Sequence, residues 1–243
     1  MIADHRREGK DVGSLVNARA HEWTPLHEAS NRGHAEAITA LVEGGAVVDQ
    51  VTQSDGKSPL IIASESGHTK AVKVLLAAGA SVERIKQDGE TAMMGACVNG
   101  HRDVVELLLD QGADVGLTKH SGWTTLMLAC RNGHRGVSEL LLDRGAVVGQ
   151  ADKDGWTALM LACQDGHRDV GELLLDRGAD AGQANEDGQT ALMVARHAER
   201  GDVVELLLSR GNQRSPRAAD ETPNNAELGR LASSRRIAVR TST

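Results

Sequence analysis

The sequence predicts an all-α solenoid of stacked helix-turn-helix units with β-hairpin or turn fingers. Three kinds of residue recur in step with a period of about 33 residues, the length of one unit in a stacked helical array. They are a Gly-His pair (Gly33-His34, Gly67-His68, Gly100-His101, Gly133-His134, Gly166-His167), a Ser/Thr column (Thr24, Ser58, Thr91, Thr124, Thr157, Thr190) and a second Gly column (Gly45, Gly79, Gly112, Gly145, Gly178, Gly211).

Each unit has the pattern of a turn followed by two short helices. In the fourth unit, Ser121-Gly122 is a turn signal, because Gly accepts the positive φ of a tight hairpin turn. Thr124 starts the first helix, since its hydroxyl can accept a hydrogen bond from a free backbone N–H. Gly133 ends that helix, and Gly145 ends the second. Helices this short are unstable alone in water, so stacking must bury a continuous core.

The motifs resemble a known family. The run from Thr24-Pro25-Leu26-His27 through Gly33-His34 to Gly45-Ala46 resembles the ankyrin-repeat consensus nearly column for column. The resemblance covers roughly residues 16–211. It implies an elongated, curved stack of helix pairs, but says far less about the partner, because a fold does not fix a function.

The columns divide the chain into three parts. Residues 1–21 are a partial repeat or cap, residues 22–211 hold six repeats, and residues 212–243 form an Arg-containing tail that we expect to be disordered. The repeats are expected at about residues 22–54, 55–87, 88–120, 121–153, 154–186 and 187–211. The sixth departs from the pattern, because Asp202 replaces the His and two extra residues lie within residues 196–200, which predicts a longer first helix or a wider loop.

Composition excludes several classes of function. The net charge of -7 argues against nucleic acid as a partner, although the segment from Arg210 onward is basic. No stretch has the length of a membrane-spanning helix, so we expect no membrane contact. The start lacks the apolar segment of a signal peptide, and three Cys suggest reduced thiols. We expect a monomer in the cytoplasm or nucleus.

The regular His and Cys columns do not predict a metal site. Stacked helices lie about 8–10 Å apart, whereas zinc ligands lie about 2 Å from one ion, so the histidines are interpreted as structural residues at helix starts. Cys97, Cys130 and Cys163 are expected to be buried and reduced. No phosphate loop, nucleophile elbow or metalloprotease motif is present, and we therefore expect no cofactor, no metal and no enzyme activity.

Two columns bear on the core. The His27 position of the first unit becomes Ile61, Met94, Met127, Met160 and Met193 in the others, which we interpret as core filling rather than an adaptable Met surface. In the second helices, Ser138 and Gly171 stand where other units carry a branched apolar side chain. The sequence therefore predicts that Gly171→Ala raises the thermal midpoint, unless close backbone packing fills the space.

The resemblance implies a module that binds another protein, as scaffold, adaptor or inhibitor, through the concave face of the fingers and first helices. Two alternatives stay open: a non-catalytic spacer or fragment of a larger ankyrin array, and, less favoured, an enzyme with a cryptic site.

All three Trp residues fall in one column, between the turn Gly and the Thr: Trp23, Lys57, Glu90, Trp123, Trp156, Gln189. Trp123 and Trp156 fit a binding hot spot with largely exposed rings, or equally a scaffold role along the hairpin stem, whereas a scaffold role is favoured for Trp23. The candidate partner-binding residues beside them are Arg131, Asn132, Gln164, Asp165, His120, Ser121, Lys153 and Asp154.

Overall fold

A computed structural model describes residues 15–20 and 22–213, so most of the predicted cap (1–21) and of the predicted tail (212–243) lies outside the described residues. The helices follow one another as pairs, numbered 1 to 6 in chain order. They are α1 (Pro25–Asn31) and α2 (Ala35–Glu43), α3 (Pro59–Glu65) and α4 (Thr69–Ala77), α5 (Ala92–Val98) and α6 (Arg102–Asp110), α7 (Thr125–Arg131) and α8 (Arg135–Asp143), α9 (Ala158–Asp165) and α10 (Arg168–Asp176), and α11 (Ala191–His197) and α12 (Gly201–Gln213).

The pairs stack as predicted for an all-α solenoid. First helices pack on first helices, and second helices on second helices, of the neighbouring pairs. Turns join the pairs as short hairpins at residues 52–58, 85–91, 118–124, 151–157 and 184–190. The last four each contain an isolated β-bridge, whereas the first is closed by a hydrogen bond from the backbone N–H of Thr52 to the carbonyl oxygen of Lys57. Within the described residues, β-structure is limited to isolated bridges. Each hairpin is named after the pair that it precedes. No helix of the described part is long and apolar enough to cross a bilayer.

The Ser/Thr column caps the first helices. A side-chain oxygen accepts a hydrogen bond from the backbone N–H three residues on in five pairs, at Thr24, Ser58, Thr91, Thr124 and Thr157. Each such cap stabilises its helix by about 1 kcal/mol. Thr190 makes no side-chain cap bond, so the sixth pair lacks this contribution.

The His column joins successive pairs, as its structural interpretation predicts. The ring Nε2 of His167 lies 2.9 Å from the backbone carbonyl oxygen of Arg131, at the end of the preceding first helix. His68, His101 and His134 make the same contact with Asn31, Glu65 and Val98. Gly133 leaves room for the His167 ring, since a β-carbon there would lie 2.6 Å from its Nδ1.

The prediction of a longer first helix or a wider loop in the sixth pair is wrong. Arg200, not Asp202, lies in the His position: its Nε donates to the carbonyl oxygen of Gln164 at 3.0 Å. Glu199 takes the left-handed backbone conformation of the preceding Gly column, with φ 58°. The first helix is therefore neither longer nor followed by an insertion. The departure lies instead in α12, which continues through Gly211 to Gln213 rather than ending at that glycine.

The Met column fills the core, as predicted, except in the last pair. Met94, Met127 and Met160 are buried, whereas Met193 is 56% exposed. The first three lie under the following pair, and no further pair follows Met193 within the described residues. Cys97, Cys130 and Cys163 are buried and free, as predicted.

Candidate functional site

A cavity of about 700 Å³ opens on the hairpin side of the stack, between the hairpin of pair 4 and the ends of the neighbouring first helices. Five of the predicted binding residues meet here, namely Ser121, Trp123, Arg131, Asn132 and Asp165. The full lining is Glu90, Val98, Lys119, Ser121, Trp123, Leu128, Arg131, Asn132, Asp165 and His167.

Arg131 lies between an aromatic ring and a carboxylate at the mouth of this cavity. Its guanidinium carbon lies over the Trp123 ring, 5.1 Å from the centroid, which is a cation–π distance. Its Nε is 3.8 Å from Oδ2 of Asp165 on the next first helix. The folding of pair 4 explains the contact: Trp123 precedes the Thr124 cap, and Arg131 is the last residue of the helix that this cap starts.

The tryptophan rings are less exposed than expected. Trp123 and Trp156 are both half-buried and pack against the edge of the core, so the expectation of largely exposed rings is wrong. The reason is local at Trp123, because its ring lies under the guanidinium of Arg131, the last residue of the helix that follows. Trp23 is also half-buried, and its ring centroid lies 6.2 Å from that of His27.

The other predicted binding residues lie outside this cavity. Trp156 belongs to the next hairpin, where its backbone N–H donates to Asp152 Oδ1 at 2.8 Å. Gln164, His120, Lys153 and Asp154 are exposed on the same side of the stack without lining the cavity. The backbone N–H of Lys153 donates to the carbonyl oxygen of Ser121 at 3.4 Å, so neighbouring hairpins contact each other here.

A ladder of ion pairs leads along the hairpin side towards the cavity. Lys57 contacts Glu65 (2.8 Å), Lys86 contacts both Glu65 (3.6 Å) and Glu90 (2.5 Å), and Lys119 contacts Glu90. Burial alone would raise the pKa of Glu90, but hydrogen bonds and charges from Lys119 and Lys86 outweigh it and hold that pKa below its ordinary value. The carboxylate at the edge of the cavity is therefore ionised and already paired.

The cavity also contains residues that the sequence analysis missed: Glu90, Val98, Lys119, Leu128 and His167. Glu90 could have been found, because it occupies the same column as Trp123. Val98 could have been found in the same way, because it occupies the same column as Arg131. Lys119 carries no such signal, since it comes from the stem of the hairpin that follows.

The cavity offers binding chemistry. It combines an aromatic ring, a cation, an amide and two apolar side chains, Val98 and Leu128. Asn132 is itself anchored, since its Nδ2 donates to the carbonyl oxygen of Leu128 at 2.8 Å. Within the described residues, no group of three or more potential metal ligands lies close together.

The family model for ankyrin repeats matches residues 4–86, 82–152 and 145–218. The chain therefore belongs to the ankyrin-repeat family, as its motifs predicted. Ankyrin repeats are generally protein-interaction modules, and the fold is typically non-catalytic. No curated protein matches the sequence significantly.

Proposed function

We propose that this chain is a protein-binding module, acting as a scaffold, adaptor or inhibitor, and that its partner binds on the hairpin side at the cavity beside Trp123. The observation that carries the proposal is the position of Arg131, which lies over Trp123 in an open cavity although 54% of its side chain is exposed. Trp and Arg are the residues most enriched in interface hot spots. The proposal includes a monomer and excludes nucleic acid as the partner.

The alternative is a structural spacer without a partner. The exposed Arg131 favours binding over this alternative: the half-buried Trp123 ring can serve packing alone, but a spacer gains little from an exposed guanidinium held over that ring. A spacer could place other polar residues here, as the same columns do at Gln189 and His197 in the last pair.

Affinity capture with quantitative proteomics tests the proposal. The full chain and its Trp123→Ala and Arg131→Ala variants are used as baits, with Arg135→Ala as a matched control for an exposed arginine one helix away. Proteins retained by the full chain and the control but lost from both cavity variants support the proposal. A hot-spot truncation should weaken binding of such a protein by about 2 kcal/mol or more.

Thermal unfolding must accompany the capture, because the Trp123 ring is half-buried and its removal also affects packing. Arg131→Ala is the cleaner variant, since its side chain is exposed. A retained set that is identical for all four baits would contradict the proposal.

A further inference from the structure

We infer that the partner segment bound in this cavity presents a carboxylate, from an Asp or Glu side chain, to Arg131. The inference rests on the proposed function and adds the chemistry of the partner. Within the described residues, Asp165 is the ion-pair partner of Arg131, at 3.8 Å, and their side chains are 54% and 39% exposed. Exposed ion pairs of this kind contribute little to stability and are easily exchanged, so the N–H groups of Arg131 are largely free to bind a ligand.

The other charges of the cavity are already neutralised. Glu90, whose side chain is only 12% exposed, binds both Lys86 and Lys119. Lys86 is shared in turn with Glu65. Among the described residues that line the cavity, an incoming charged group therefore meets one available cation, Arg131, and one available anion, Asp165.

The position of Arg131 favours an anionic ligand over a cationic one. A ligand cation that sought the Trp123 ring would have to displace the guanidinium that already lies over it, and would exchange one cation–π contact for another. A carboxylate displaces nothing from the ring. The ring also restricts the otherwise flexible side chain of Arg131. Less conformational entropy is therefore lost when the planar guanidinium forms a bidentate pair with a carboxylate.

Two features of the cavity refine the expected ligand. Val98 and Leu128 lie in the same lining, which favours an apolar side chain next to the acidic one in the bound segment. Asp165 opposes the ligand, because its carboxylate competes for Arg131 and repels a second carboxylate. The overall net charge of -7 also opposes an acidic partner, but charges further away than about 8 Å are largely screened at physiological salt.

A random-peptide phage library panned against the full chain provides the test. Peptides selected by the full chain should be enriched in Asp or Glu beside an apolar residue. Arg131→Gln should weaken the selected peptides about tenfold or more, because it removes a hydrogen bond between two charged groups. Asp165→Asn should strengthen them about two- to fivefold, because it removes the competing carboxylate. Arg135→Gln is the matched control and should leave the affinity of the selected peptides unchanged.

The sign of the Asp165→Asn effect separates the two possible charges of the ligand. Peptides enriched in Lys or Arg and weakened by Asp165→Asn would overturn the inference. Peptides lost in Trp123→Ala but indifferent to Arg131→Gln would also overturn it, while leaving the proposed function intact. Peptides whose binding is unchanged by Trp123→Ala and by Arg131→Gln, or the absence of any selected peptide, would count against the cavity as a binding site. That result would contradict the inference and the proposed function alike. Thermal unfolding of each variant checks that the fold is retained.

Discussion

Arg200 donates from Nε to the carbonyl oxygen of Gln164 at 3.0 Å, in the position where His167 reaches the carbonyl oxygen of Arg131 one pair earlier. The contact between successive pairs thus survives the loss of the histidine. The glycine before it does not survive. Its replacement, Glu199, keeps the left-handed conformation and is the one non-glycine residue with positive φ in the described part of the chain.

Glu199→Gly should stabilise the protein. An L side chain in the left-handed conformation costs about 1 kcal/mol or somewhat more, and Gly166, the equivalent residue of pair 5, adopts the same conformation with φ 83°. We expect the free energy of unfolding in urea to rise by about 1 kcal/mol. Glu186→Gly, at an exposed position outside the set of positive φ angles, is the control for the lost charge. Equal effects of the two substitutions would contradict the explanation.

The sixth pair also shows where sequence reasoning fails. The repeat columns predicted the helix pairs, the Thr caps and the buried Cys column, because each follows from local backbone requirements that recur with the period. The same columns misplaced the last pair, because Gly201-Asp202 resembles a damaged Gly-His pair. The residues that occupy the Gly-His position are Glu199 and Arg200. Their side chains do not resemble Gly and His, and only the backbone conformation and the hydrogen bond to the preceding pair identify them as equivalents.

The cavity was only partly predictable for a different reason. Trp123 and Arg131 are eight residues apart in one unit, and their neighbourhood follows from the hairpin and the helix that begins after it. Glu90 and Lys119 lie on two different hairpins. The period places them on the same side of the stack but does not determine which charged side chains meet across that distance.

Two helix-interior glycines should respond oppositely to alanine. A β-carbon at Gly171 in α10 would lie 3.7 Å from Leu206 Cδ2, an ordinary contact, whereas one at Gly95 in α5 would lie 2.5 Å from Glu65 Cγ. Gly171→Ala should therefore raise the free energy of unfolding by about 1 kcal/mol. Gly95→Ala should lower the thermal midpoint, because it displaces the carboxylate that Lys57 binds. Calorimetry of both variants checks the signs, and a rise in both would show that Glu65 moves aside freely.

His27 should make the first pairs sensitive to acid. Burial lowers the pKa of His27 from its ordinary 6.5, and the backbone carbonyls of Gln50 and Lys57 offset only part of this effect. The unfolded chain therefore binds a proton that the folded chain does not. The free energy of unfolding should be unaffected by His27 above pH 6.5. It should decrease as the pH drops from 6.5 towards the lower pKa of His27 in the folded state.

His27→Met tests this pH dependence, because Met94 and Met160 fill the same position in other pairs. Chemical denaturation at a series of pH values should show a shallower loss of stability between neutral pH and pH 5 for the variant than for the wild type. His120→Gln, at an exposed position, serves as the control. Parallel curves for the wild type and His27→Met would exclude His27 as the source of the acid sensitivity.

The three cysteines should resist thiol reagents in the folded state. Burial raises the pKa of all three thiols, that of Cys130 and of Cys163 to about 12. At pH 8 the fraction of each cysteine in the reactive thiolate form should be about a thousandfold lower than for a free cysteine. Burial also blocks access of the reagent. Labelling should become fast only in denaturant. A variant with Ser121→Cys, at an exposed hairpin position, should label one thiol at once and shows that the reagent is active.

A set of hydrogen bonds between successive pairs is present in the first half of the stack and missing from the second. Asn17 Oδ1 accepts from the backbone N–H of Val47 at 2.8 Å, and Asp49 and Glu83 accept in the same way from the loops that follow α4 and α6. The same column then reads Gly116, Gly149 and Gly182, which have no side chain to accept.

Gly149→Asn should restore this bond to the backbone N–H of Asp180 and stabilise the second half of the stack. Gly149 has no positive φ, and the nearest atom to an added β-carbon, Oε1 of Gln183, is 4.0 Å away, so the backbone accepts a side chain there. The hydrogen bond should contribute about 1 kcal/mol. Gly149→Ala is the matched control, because it reduces the freedom of the unfolded chain without supplying an acceptor. Urea unfolding should rank Asn above Ala and Ala above Gly; an Asn variant no more stable than the Ala variant would mean that the side chain does not reach the next pair.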